Sequence, residues 1–287
     1  MEKVSACLIC GGNNLKKYNT KVSDFVSIRT SIAPSRSTRL CYCKDCSFGF
    51  YEDRLNDEEN ALLYAGYRGP EYQAIREKCE PWYTKALNDG LNNDITGLSE
   101  QKRVIEAIIQ KNITKELKVA LDYGGNEGRT FTDLIGTKEK YVFDISGIQT
   151  LAGVKSIASF EELTDHQYDF IMCNHLFEHL SYPLDILKRL DKIGDKDTYY
   201  YIEVPSESPF SPDKETLWFV LRRFYHTRVC RKSPFYPMGE HVNFYTPQSM
   251  RIMLERNGFT VLDIQENTEH NAGGIPVILS VLFVKNI

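Results

Sequence analysis

The stretch Val119-Ala120-Leu121-Asp122-Tyr123-Gly124-Gly125-Asn126-Glu127-Gly128 constrains the fold of this chain more than any other. An apolar run closes on an acid, glycines follow at close spacing, and Arg129 to Ile135 continues in a helix-like pattern. The segment reads as strand, tight turn and helix of an α/β nucleotide-type site. Glycine suits a backbone that must turn sharply and admit a ligand with no Cβ in the way. An ordinary βα turn could carry the same residues, so the context decides.

The context repeats the pattern. Ser99 is placed to cap a helix whose face is Val104, Ile105, Ile108 and Ile109, leading through Lys118 into the glycine strand. Short apolar runs then follow at Tyr141 to Asp144, Val154 to Ala158, Tyr168 to Asn174 and Tyr199 to Val204, with a helix over Pro183 to Asp191 between the last two. Such alternation predicts a parallel sheet covered by helices on both faces, with ligand at the carboxyl edge. Thr246-Pro247 opens a last long helix that Asn257-Gly258 closes. Phe259 to Ile264 and Ile275 to Val284 read as a final antiparallel pair. A plain dinucleotide domain does not end this way.

Five of the eight cysteines fall between residues 7 and 46. Cys7-x-x-Cys10 and Cys43-x-x-Cys46 are two knuckles whose four thiolates can meet around a structural zinc ion, with Cys41 replacing Cys43 if the second knuckle is Cys-x-Cys. A redox-active or unbound thiol cluster is the alternative. A closed four-sulfur site leaves no position for substrate, so its role is to fold a module too small for its own core. Between the knuckles, Arg29 to Arg39 reads as hairpin or loop.

The expected organisation is a zinc-binding module over 1–52, a helical connector or lid over 53–98, and a large domain over 99–287 with an insertion at 206–245. The connector carries Tyr64, Tyr67, Tyr72, Arg76 and Trp82-Tyr83, which either pack on the main domain or place a tyrosine or arginine, such as Tyr72 or Arg76, near a ligand. The insertion is rich in prolines, aromatics and basic residues, and is either a substrate cover or a surface loop with a helix around Leu217 to Phe224. A net charge of −4 offers no basic field for nucleic acid. No apolar leader or bilayer-length stretch is present, which predicts a soluble, cytoplasmic protein with no membrane partner.

The strand order, the acid-glycine stretch, Asp144 at the end of strand two and the run Asn174-His175-Leu176-Phe177-Glu178-His179-Leu180 together resemble class I S-adenosylmethionine-dependent methyltransferases over roughly 99–287. The knuckles and the segment Glu240-His241-Val242-Asn243-Phe244-Tyr245-Thr246-Pro247 are similar to the subgroup that methylates nucleotide-linked deoxysugars. The resemblance implies a Rossmann-like seven-stranded methyltransferase sheet with its last strand antiparallel. It also implies S-adenosylmethionine as cofactor and a small-molecule acceptor such as a nucleotide-diphosphate sugar.

Residue by residue, the resemblance implies that Gly124, Gly125 and Gly128 accommodate the cofactor's amino-acid end, with Asp122 helping to hold its ammonium. Asp144, with Ile145 beside it, would meet the ribose, and Asn174 and His175 would lie near the reacting methyl group. His241 matches the relatives' base, with Glu240 beside it, and His179 matches a further histidine of theirs. The family's middle glycine is Asn126 here. The carbon-methylating relatives carry a further domain and a tyrosine at the position of Met238, which favours an oxygen nucleophile on this chain. Two other classes compete: a non-catalytic cofactor-binding assembly module and a nicotinamide-dependent oxidoreductase.

Overall fold

The computed structural model describes residues 1–206, 237–271, 274 and 276–286. Its centre is a seven-stranded sheet built from β6 (Leu117–Tyr123), β7 (Ile135–Phe143), β8 (Val154–Ile157), β9 (Phe170–Asn174), β10 (Tyr199–Pro205), β12 (Phe259–Thr268) and β13 (Val277–Lys285). The spatial order is β12-β13-β10-β9-β6-β7-β8. Neighbours from β8 to β10 run parallel, and β13 enters antiparallel between β10 and β12. The order reverses between β6 and β9, so the carboxyl ends of those strands open a crevice of the kind that binds ligands in open α/β sheets.

Period-two alternation divides the sheet into two cores. Ala120, Val142, Phe170 and Met172 face α5 (Ile95–Asn112), whose Val104, Ile105, Ile108 and Ile109 form the predicted apolar stripe. Leu121, Ile171, Cys173 and Ile202 face the other way, toward α7 (Pro183–Ile193) and α8 (Pro247–Arg256). Thr246 caps α8 by accepting from the Ser249 amide at 3.1 Å, as its sequence predicts. The cap of α5 is instead Asp94, which accepts from Gly97 N at 2.8 Å, so the helix starts before Ser99.

A second departure lies just after the glycine turn. No helix covers Arg129 to Ile135; the chain makes successive turns and β7 begins at Ile135. The side chains there are engaged in other ways: Thr130 donates back to the Asp122 carboxyl, and Phe131 is buried against α5.

The N-terminal segment forms a four-stranded antiparallel sheet, in the order β11-β4-β3-β2, from β2 (Leu15–Lys21), β3 (Ser37–Cys43), β4 (Gly49–Tyr51) and β11 (Asn243–Phe244). A short pair, β1 (Glu2–Lys3) with β5 (Asp53–Arg54), flanks it. The helix α1 (Asp24–Thr30), capped by Ser23 and stopped by Ser31 at φ 58°, ends just inside the Arg29 to Arg39 stretch, which continues as the loop leading into β3. The connector folds as α2 (Asp57–Tyr64), α3 (Pro70–Cys79) and α4 (Lys85–Asn92). Most of the insertion, including the segment around Leu217 to Phe224 and the basic residues Arg222, Arg223, Arg228, Arg231 and Lys232, lies outside the described residues.

The edge strand β11 comes from the far end of the chain, pairing Asn243 with Phe50 and Phe244 with Gly49. Cys7, Cys43, Cys46, Phe48 and Phe50 also belong to the same core as Tyr245 and Met250. The thiol-bearing segment and the large domain are therefore packed through one continuous interior.

Candidate functional site

The turn after β6 depends on two glycines. Gly124 has φ +80°, a left-handed conformation that favours glycine. At Gly125 a Cβ would lie 2.2 Å from Cγ of Asp122, so the turn closes directly over that carboxyl. Gly128 also turns left-handed, against Val154 and Val142. Asp122 has no accessible surface, and burial pushes its pKa up to about 7 against the lowering effect of the Thr130 hydrogen bond. It shapes the turn from beneath, and a bound ammonium could not touch it unless the turn moved.

Asn126 takes φ 54° and is exposed, so it adopts the conformation of the glycine it replaces without pointing into the core. Its amide donates to Asp144 Oδ2 at 2.9 Å, and Ser146 N donates to Oδ1 at 2.7 Å. Each Asp144 oxygen keeps a further lone pair for a diol. Ile145 beside it is 78% exposed, an apolar surface available to a flat ring.

Asn174 ends β9, buried, with its side chain beside the Asp122 carboxyl. Its neighbour His175 has φ 49°, held by a 2.9 Å bond from its amide to the Glu203 carbonyl. This unusual backbone aims the ring between two carboxylates: Nδ1 is 3.3 Å from Glu178 and Nε2 is 3.4 Å from Glu203. Partial desolvation disfavours its charge, but the ring is 42% exposed, and the Glu178 contact with the charges of Glu178, Glu203 and Glu269 outweighs that and raises its pKa to about 9. Glu178 is ionised for the converse reason: burial opposes the charge, His175 overcomes it, and the pKa falls to about 2.

His179 lies one residue beyond Glu178. Its Nδ1 is 2.9 Å from the Tyr64 hydroxyl and 3.1 Å from the Glu240 carbonyl, while Nε2 is 3.8 Å from Glu178. Burial lowers its pKa below 6.5 despite the nearby Glu178, which leaves it neutral at pH 7. The His241 ring packs edge-on against it at a centroid distance of 4.9 Å. Ligand atoms of Glu178, His179 and His241 all lie within 4.8 Å of one another. Thus His175, His179 and His241, from two distant parts of the sequence, converge on one carboxylate.

Glu240 is not a free base. Tyr72 and Arg76 of α3 donate to its two oxygens, and Arg76 also meets Glu80 at 3.0 Å and stacks 4.1 Å over the Tyr83 ring. The polar ends of Tyr72 and Arg76 are therefore committed to Glu240, and through it to the backbone that carries His241.

Arg54 has the same structural role from the other side. It is completely buried and, among the described residues, has no carboxylate partner. Its five donor contacts reach the carbonyls of Ser181, Tyr51, Val242 and Leu180 and the side-chain oxygen of Asn243. Asn243 in turn donates to the Phe177 and Leu180 carbonyls at 2.8 and 2.7 Å. The residues flanking His179 and His241 are thereby tied to each other and to β5.

The thiols of Cys7, Cys10, Cys43 and Cys46 converge, with Cys7 to Cys46 and Cys10 to Cys43 each 3.5 Å apart. A tetrahedral ion with metal–sulfur bonds of about 2.3 Å separates its sulfurs by about 3.8 Å, so the cluster fits such an ion after small adjustments. Cys41 stands outside it, its sulfur 3.9 Å from the Arg39 carbonyl, which makes the second knuckle Cys43-x-x-Cys46. Gly11, at φ +71°, and the 2.9 Å bond from its amide to the Cys7 carbonyl form the first knuckle.

Glu203 and Arg54 are site residues that the sequence did not single out, while Tyr64, Glu178 and Asn243 stood within quoted stretches without a role of their own. Glu178 had a signal, since it lies three residues after one histidine and immediately before another. Arg54 had none, because its partners are main-chain carbonyls.

A methyltransferase domain family matches residues 98–264, more than half of the chain. A search of curated proteins gives no match. Among solved structures, a methyltransferase from Anabaena variabilis aligns at 12% identity and TM-score 0.43, covering 70% of this chain and 92% of its own. A methyltransferase from Aquifex aeolicus aligns at 20% identity and TM-score 0.42 (66% and 98% covered). The magnesium protoporphyrin IX methyltransferase of Synechocystis aligns at 12% identity and TM-score 0.44 (70% and 87% covered). At such distances their substrates say nothing of the acceptor used here. On the family match, together with the sheet order and the glycine turn, the chain belongs to the methyltransferase domain family and is an S-adenosylmethionine-dependent enzyme.

Proposed function

We propose that the enzyme O-methylates a sugar, a nucleotide-linked sugar or a related small polar metabolite of surface-glycan biosynthesis in the cytoplasm, with His241 taking the acceptor's proton. The observation that carries this reading is the pairing of the His241 and His179 rings beside ionised Glu178, just beyond the β9 end marked by Asn174 and His175. Histidine suits the task because its pKa lies near the working pH. The oxygen preference is supported by Met238, which occupies the position of the carbon-methylating relatives' tyrosine and is buried beside Val22.

In this reading the turn from Gly124 to Gly128 accommodates the cofactor's amino-acid end, Asp144 accepts from the ribose hydroxyls and Ile145 covers the adenine. When bound, S-adenosylmethionine supplies a methyl group on positive sulfur, and the bond to sulfur breaks as the acceptor oxygen attacks. The protein's contribution is alignment and removal of one proton. Glu240, clamped by Tyr72 and Arg76, holds the His241 backbone in place, and the four thiols bind a structural zinc ion. Among the described residues no helix is long and apolar enough to cross a membrane.

The test is turnover on a panel of nucleotide-diphosphate sugars, read as a methyl mass increment. His241→Ala should keep S-adenosylhomocysteine affinity while turnover falls by about 10²–10⁴-fold. An equal loss of both would remove His241 as the base.

A further inference from the structure

Glu178 has no part in the chemistry described so far, yet it is the charged centre of the site. Its side chain is 3% exposed, and its nearest polar partner is His175 Nδ1 at 3.3 Å. Three imidazoles surround it. His175, held protonated, neutralises it in the resting state and makes its burial tolerable.

The second imidazole decides the role. His179 Nδ1 lies 3.1 Å from the Glu240 carbonyl, which can only accept, and 2.9 Å from the Tyr64 hydroxyl, which can donate or accept, so the neutral ring can carry its proton on either nitrogen. Nε2 faces Glu178 at 3.8 Å in both cases, and the carboxylate attracts this edge most strongly when the ring is protonated on both nitrogens. His241, edge-on to His179 and within 4.8 Å of the same carboxylate, shares that field.

The geometry points to Glu178 as a positioning residue whose fixed carboxylate orients the His179–His241 pair and stabilises the charge that the pair gains on taking the acceptor's proton. This rests on the reading of His241 as the base. In the step, the acceptor O–H bond breaks and its proton moves to an imidazole nitrogen. The oxygen's electron pair forms the bond to the methyl carbon, the pair of the carbon–sulfur bond leaves with sulfur, and the proton later passes to solvent. The other groups facing the cluster are Tyr64 from α2, Glu240 with Tyr72 and Arg76 from α3, Glu203 from β10, Glu269 after β12 and Tyr245 before α8. None of these carboxylates approaches the His179–His241 pair as Glu178 does: Glu203 faces His175, and Glu240 is neutralised by Arg76.

The test is an NMR titration of histidine-labelled full-length protein saturated with S-adenosylhomocysteine, comparing wild type, Glu178→Gln and Glu178→Asp. Six histidines make assignment by single substitution practicable. In Glu178→Gln the ring pKa of His241 or His179 should fall by about 1–2 units, and Glu178→Asp should recover part of the shift. Because removing the anion lowers the base's pKa, the acid limb of turnover should move to lower pH by the same amount; a purely structural role would lower turnover without moving that limb. Should Glu178→Gln fail to fold, Glu178→Asp carries the test through a smaller shift in the same direction. Unchanged ring titrations in a folded variant would overturn the proposal. So would a second bound metal equivalent, beyond the thiol site, that disappears in Glu178→Gln. Failure of the base reading would look different: His241→Ala would retain turnover while the Glu178 variants still shifted the rings.

Discussion

Arg54 Nη2 donates to the side-chain oxygen of Asn243 at 2.7 Å, joining residues 189 positions apart in a site closed to solvent. The same guanidinium donates to four carbonyls, so Arg54→Met removes a donor from each, leaving the Leu180 and Val242 carbonyls only the Asn243 side-chain amide and the Tyr51 amide. Such losses cost about 1–3 kcal/mol each before relaxation, and the variant should lose on the order of 3 kcal/mol or more in urea unfolding. Arg54→Lys should recover only part of this, because an ammonium cannot reproduce the planar fork. A loss under about 1 kcal/mol would show that water replaces the network.

Zinc analysis should find about one equivalent per chain for a closed four-thiolate site. Cys43→Ser should lose the metal and destabilise the N-terminal sheet, whereas Cys41→Ser should retain it, because the Cys41 sulfur lies outside the cluster. A metal-free wild type, or equal loss in both variants, would refute the ligand assignment.

Asp144→Ala removes the acceptor of the Asn126 and Ser146 amides as well as the proposed ribose contact. Calorimetry should show S-adenosylhomocysteine affinity reduced by about tenfold or more, the scale of one lost hydrogen bond to a charged group. Unchanged affinity would remove the ribose assignment.

Gly125→Ala places a methyl 2.2 Å from the buried Asp122 carboxyl. Cofactor affinity and melting temperature should fall together, and shortening Asp122 should not rescue them, because its Cβ lies 2.6 Å from the same point. If Gly125→Ala alone is neutral, the turn is looser than its contacts indicate.

Stability should depend on pH in two separable steps. Asp122, with a pKa raised by burial from 3.8 to about 7, contributes fully below pH 3.8 and loses that contribution as pH rises through 7. His175, raised from 6.5 to about 9 against partial desolvation by its carboxylate neighbours, contributes fully below pH 6.5 and loses it as pH rises through 9. Asp122→Asn should flatten the lower step of a urea-midpoint profile, and His175→Gln the upper one. A wild-type midpoint that does not decline between pH 7 and 9 would contradict a protonated His175.

Local chemistry made the large sheet legible in the sequence. The short apolar runs that close at or beside Asp122, Asp144 and Asn174 are the strands β6, β7 and β9, and Thr246-Pro247 is a helix start by its own geometry. The helix expected after the glycines failed because Thr130 and Phe131 satisfy tertiary demands that periodicity does not register. Cys7, Cys10, Cys43 and Cys46 could be read because ligand spacing is local within each knuckle. Arg54 and Glu178 could not be assigned roles, since their meaning lies in which distant residues surround them. Tyr72 and Arg76 stood out as polar groups of a covering segment, but their partner, Glu240, is more than 160 residues away.

The pairing of β11 with β4 also has a consequence during synthesis. Phe50 and Gly49 leave the ribosome almost 200 residues before their partners Asn243 and Phe244. At about 5–20 residues per second, that edge waits roughly 10–40 s for its strand. An unpaired edge beside Phe48 and Phe50 is a template for wrong partners, other nascent chains included. The interval ends only when the segment bearing His241 arrives, so protection of the edge and completion of the histidine cluster become one late event in the making of each molecule.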